Sequence, residues 1–200
     1  MTPDASLPRQ LTGGRSPLIW GVALLVVIEG TLLSLFVLTY FYLRLGVPEW
    51  PPPDVGTPDL LLPTAAQLCL LASPLPFWLG LQRVARPDAG RSPLGLPAAL
   101  PLGMGLALAY LLFTVWSYAG REYTWTTHVY GSLDWSMSAY AALHVATVVL
   151  AGAFVWLLAV RGHFGPHRYT GLQALLVYWI FVALGSLLFY GVQYLAPYAQ

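Results

Sequence analysis

Residues 17–44 read PLIWGVALLVVIEGTLLSLFVLTYFYLR, and this stretch decides the fold. Between residues 16 and 43 it carries one charged side chain, Glu29. A helix of about 20 apolar residues crosses the roughly 30 Å hydrocarbon core of a bilayer, so the stretch reads as a membrane helix. Trp20 lies near one end, and Tyr40, Phe41 and Tyr42 near the other. Aromatic side chains collect at the two lipid–water interfaces. A carboxyl group at the centre of such a helix costs roughly 2.5–3.5 kcal/mol to insert, which makes Glu29 the first candidate for a functional residue.

The remaining sequence follows the same pattern. The chain has 200 residues, 58% of them apolar and 8% charged, against about 25% charged in soluble domains. The charges divide it into four further uncharged stretches, 60–82, 92–120, 135–160 and 169–200. The fold expected is therefore all-α, an integral membrane bundle of five transmembrane helices at about 17–43, 60–82, 97–118, 134–160 and 170–195. Together these form one membrane domain, 17–197, after a short polar tail, 1–16. The apolar run behind the tail is too long for a cleaved signal peptide and contains a glutamate, so a retained helix is expected. Pro63, Pro74 and Pro76 should bend or unwind the second helix.

The arginines set the expected orientation. Arg9, Arg15, Arg83, Arg86, Arg91, Arg161 and Arg168 fall on one side of the bundle, and Arg44 and Arg121 on the other. Positive charge favours the cytoplasmic side. The N-terminus is thus expected in the cytoplasm and the C-terminus outside. A net charge of +1 gives no signal for nucleic acid.

The residues that could carry chemistry are few. Within the predicted spans there is one histidine, His144; His128, His163 and His167 fall in loops. A haem held between helices would need a second. One cysteine, Cys69, cannot build a dithiolate copper centre or an iron–sulfur cluster, and it is expected to be a small buried hydrophobe. No haem-attachment, P-loop or dinucleotide motif is present. His163 and His167 have a spacing suited to a metal, but a glycine and a proline separate them and arginines flank them, so a solvated turn is expected. No metal site, no cofactor and no catalytic residue are therefore expected on this chain. Glu29 and His144 lie within about 5 Å of the same depth at 1.5 Å rise per residue. A hydrogen bond between them would satisfy both groups away from water. Asp134, at the expected start of the fourth helix, reads as an N-terminal cap.

Several motifs in order resemble subunit III of the haem-copper oxidases, in its five-helix form. Residues 29–44, IEGTLLSLFVLTYFYLR with the preceding Ile28, look like the family's glutamate-bearing helix. Trp50, Pro51 and Pro52 match its W-P-P loop, and Pro63 and Thr64 stand where it has N-T. Glu122 and Tyr123 match its E-Y pair. Gly131, Ser132 and His144 match its G-S…H-x-x-H-V signature, and Tyr178 and Trp179 its Y-W-H-F-V-D signature. The chain departs from the pattern at Ala141, Ile180 and Ala183, where the family has His, His and Asp, and at Ser186, where an aromatic is usual.

The resemblance implies a non-catalytic subunit of a cytochrome c oxidase type complex in a bacterial plasma (inner) membrane. Such a complex serves aerobic respiration and reduces O2 while pumping protons. Haem and copper would lie in its partners, catalytic subunit I and subunit II. Phospholipid would be bound in a cleft walled by the first helix pair and the remaining three. Glu29 and His144 would form a buried polar pair at the lipid cleft or in a proton-related site. An accessory subunit of nitric oxide reductase, and a small proton or ion transporter using Glu29, are the alternative expectations.

Overall fold

The computed structural model describes residues 16–56, 58–86 and 95–199. Of the expected tail, 1–16, residues 1–15 lie outside the described residues, as does Arg91. Six α-helices are described: α1 (Pro17–Leu45), α2 (Leu61–Ala72), α3 (Pro74–Ala85), α4 (Leu96–Ala119), α5 (Val129–Val160) and α6 (Thr170–Tyr190). A π-turn, Gly191–Leu195, and a short 3-10 turn, Ala196–Ala199, follow α6. They make five stretches long and apolar enough to cross a membrane, because α2 and α3 together form the second. The protein is a multi-pass membrane protein, all-helical among the described residues.

The division of the second span is local chemistry. Pro74 and Pro76 remove two backbone donors, and the helix breaks at Ser73. The break is put to use in packing. Ser73 donates through Oγ to the Leu70 carbonyl at 2.7 Å and accepts from Trp179 Nε1 at 2.8 Å. Both Ser73 and Trp179 are fully buried. Gly103 of α4 lies against the same break, where an added Cβ would stand 2.6 Å from the Ser73 carbonyl oxygen. A side chain there would separate α4 from the second span.

α4 packs on α2, α3 and α5, and α6 packs on α1, α2, α3 and α5. Two apolar clusters result. One surrounds Trp179, Phe77, Leu100 and Val148. The other lies at the opposite end, around Tyr40, Trp50, Tyr130, Met137 and Phe189. α1 stands apart. Its buried residues are Leu33 and Tyr40, and it rests on α6 and more lightly on α5. Leu33 reaches Gly185 of α6, where an added Cβ would meet it at 2.6 Å. Trp20, Leu24, Val27, Ile28, Leu35 and Leu38 are turned outward. α1 therefore does not pair with the second span, and the helix grouping expected for a cleft is replaced by two separate contacts with α6.

The fourth span begins five residues before its expected start. His128 caps it, its Nδ1 accepting from the Gly131 amide at 2.7 Å. Asp134 is consequently inside the helix and buried, not at its end. Cys69 is half-buried rather than enclosed.

Candidate functional site

Glu29 on α1 and His144 on α5 meet where α1 touches the bundle. Glu29 Oε2 lies 3.2 Å from His144 Nε2. It also accepts from the Tyr140 hydroxyl at 2.8 Å, and that hydroxyl is 3.1 Å from the Glu29 carbonyl. Tyr140 precedes His144 by four residues, so both occupy one helix face, and their rings lie 4.1 Å apart between centroids. The Glu29 side chain is 20% exposed and that of His144 11%, so the pair faces the protein interior with one edge open.

The hydrogen bonds fix the proton count. His144 Nδ1 is 2.7 Å from the Tyr140 carbonyl, which can only accept, so Nδ1 carries a proton. The Nε2–Oε2 contact then has two forms. A protonated carboxyl donates to neutral imidazole, or an imidazolium donates to a carboxylate. Either form holds a single proton between the two residues, and that proton is what makes the contact a hydrogen bond.

A second polar cluster lies at the end of the bundle that carries the Trp50 loop. Arg121 pairs with Asp134, whose Oδ2 also accepts from Tyr123 at 3.0 Å and from Tyr118 at 3.1 Å. Arg121 donates to the Tyr194 hydroxyl at 2.8 Å. Gln193 donates to Asp134 Oδ1 and to the Asp134 carbonyl, each at 2.9 Å. Tyr118 and Ser138 share a short hydrogen bond beside them. Asp134 and Gln193 are 2% and 4% exposed. A buried carboxylate is tolerable only when its charge and lone pairs are met, and here every oxygen of Asp134 is. Sequence reasoning missed this network. Its signal was present in Arg121 and Asp134 as the charges flanking one loop.

The other motif positions play mixed parts. Trp50 is buried between Tyr40 and Tyr130, with ring centroids at 5.4 and 5.1 Å, while Pro51 and Pro52 are half-buried. An added Cβ on Gly131 would stand 2.5 Å from the Thr124 carbonyl, so glycine is required there. Ser132 donates to the Trp125 carbonyl at 2.5 Å. Glu122 is exposed on a groove of about 450 Å³ shared with Asp54 and Asp59. Trp179 is in the core, and Tyr178 edges toward His144 at 6.4 Å between ring centroids. His163 and His167 are both exposed in the turn before α6. Among the described residues, no three His, Cys, Asp or Glu side chains are grouped to hold a metal ion.

No protein-family model matches the chain. It is similar to a protein named cytochrome c oxidase subunit 3 from Synechocystis, 24% identical over 165 residues that cover 82% of this chain and 69% of the relative. It is likewise similar to cytochrome c oxidase subunit 3 of Thermostichus vulcanus, 22% identical over the same share of this chain and 80% of that relative.

Proposed function

We infer the role of this chain from its place as a divergent member of the cytochrome c oxidase subunit III family: it is an accessory subunit of a haem-copper oxidase. One observation carries this reading, the likeness to proteins of that name over 82% of the chain. The five apolar spans agree with it. The nitric oxide reductase and transporter alternatives are not favoured by these relatives.

In finer detail, the chain packs against catalytic subunit I and subunit II in a bacterial plasma membrane, with its N-terminus in the cytoplasm. Haem and copper belong to those partners. The arginine distribution supports the orientation. The outward apolar face of α1 supports a covering of partner helices or phospholipid acyl chains, since the helix has little contact of its own with the bundle. Glu29 and His144 form the proton-holding polar pair of this face, with Tyr140 donating to Glu29 through its hydroxyl and accepting from His144 through its carbonyl.

Purification through a tag on this chain in mild detergent tests the reading. Large membrane subunits with a haem absorbance spectrum are expected to accompany it. A colourless homo-oligomer that conducts protons would defeat it.

A further inference from the structure

We propose that a cavity between α2, α4, α5, α6 and the π-turn, into which several polar side chains face, binds water, and that this water extends the Arg121–Asp134 cluster into the middle of the bundle. The cavity has a volume of about 30 Å³. A cavity of at least about 10–15 Å³ on this measure holds a water molecule when it offers two to four polar partners. Gln193 and Ser138 of the Arg121 cluster stand at one end, and Gln67, Tyr110 and Ser186 at the other. Ser186 donates to Gln67 Oε1 at 2.9 Å and lies 3.1 Å from the Tyr110 hydroxyl.

The partners have capacity to spare. Gln67 uses one of its two amide hydrogens, on the Ala183 carbonyl at 3.4 Å. The Gln193 amide hydrogens are engaged with Asp134 and Ser138, and among the described residues no donor reaches its carbonyl oxygen. A water between the two glutamines would meet the remaining Gln67 amide hydrogen and the Gln193 carbonyl oxygen. Tyr110 is nine residues short of the end of α4, which puts this water-linked file about 14 Å deep along the helix axis.

The file ends at Ser186 and Ala141. Both residues also line a second cavity, of about 10 Å³, that leads to His144 and Tyr140 and is otherwise walled by Leu33, Phe181, Val182, Gly185 and Phe189. Apolar cavities stay dry. The water therefore reaches the far side of this apolar plug and not the Glu29–His144 pair. Ala141 and Ser186 have small side chains, which leave the room that larger ones would fill.

Radiolytic hydroxyl footprinting of the detergent-purified chain with its partners tests the proposal, because radicals made from bound water label the side chains beside it. Tyr110 and Tyr40 are 6% and 2% exposed, and Tyr40 does not line the cavity. With each rate normalised to the unfolded chain, Tyr110 is expected to be labelled several-fold faster than Tyr40. Ala141→Leu, which fills the junction of the two cavities, is expected to bring Tyr110 down to the Tyr40 rate. Equal protection of the two tyrosines in the unaltered chain would overturn the proposal, and so would Tyr110 labelling unchanged in a folded A141L variant. The comparison within the unaltered chain decides even where the variant does not assemble, and neither outcome depends on which partners accompany the chain.

Discussion

Asp134 and Glu29 are both carboxylates inside membrane helices, and the bundle treats them differently. Asp134 is held by a guanidinium, two phenols and a primary amide drawn from α4, the following loop and the π-turn. Its partners reach every oxygen and tie three chain segments together. Glu29 has one imidazole and one phenol, both from α5, on a helix with two buried residues. The first arrangement fixes charge and geometry. The second leaves one shared proton, an open edge and a helix whose apolar face is turned outward. The two carboxylates differ in how many elements hold them.

Breaking the first arrangement should have the largest effect. Asp134→Ala leaves Arg121 buried without a counter-charge, which costs about 3–5 kcal/mol. Thermal unfolding in detergent is expected to show the chain strongly destabilised or unassembled. An Asp134→Ala protein as stable as the original would place the network among dispensable surface pairs.

Next comes the packing on which both regions rest. Gly103→Val pushes a side chain into the Ser73 carbonyl and toward Trp179. Overpacking costs about 1–3 kcal/mol, read in the same melting experiment. A neutral result would mean that α4 can move away from the break in the second span at no cost.

Glu29→Gln sharpens the contrast, because it keeps the hydrogen-bonding shape and removes the titratable proton. Its effect on stability should fall within the roughly 0.5–1.5 kcal/mol of an ordinary hydrogen bond. Its effect on the complex should appear as faster loss of activity over repeated turnover. If assembly and turnover decay are both unchanged, Glu29 has no functional part. The smallest effect is expected from Glu122→Gln. That side chain is exposed, and surface changes of this kind stay within about 0.5 kcal/mol.

The spans were legible because charge is too costly in lipid to be scattered at random. Charges such as Arg44, Asp59, Arg83 and Arg121 therefore stand close to helix ends, while Asp134 does not. Depth alone brought Glu29 and His144 to one level, and the contact between them is 3.2 Å. Tyr140 went unnoticed although it lies one turn before His144 on the same face. The Asp134 network was hidden for another reason. The start of α5 is set by the His128 cap and not by the first charge, so Asp134 moved from a helix end into the interior. Its partner Gln193 is 59 residues away, and no local pattern joins them. The grouping of α1 was equally unreadable, since a helix apolar on all sides does not reveal which face meets its neighbours.

The most direct test removes this chain from the complex that co-purifies with it and follows both the haem spectrum and the O2 consumption of that complex. The account predicts an unchanged haem spectrum and a normal initial rate, followed by faster decay of activity. Loss of haem in step with loss of the chain, or unaltered endurance without it, would contradict the account.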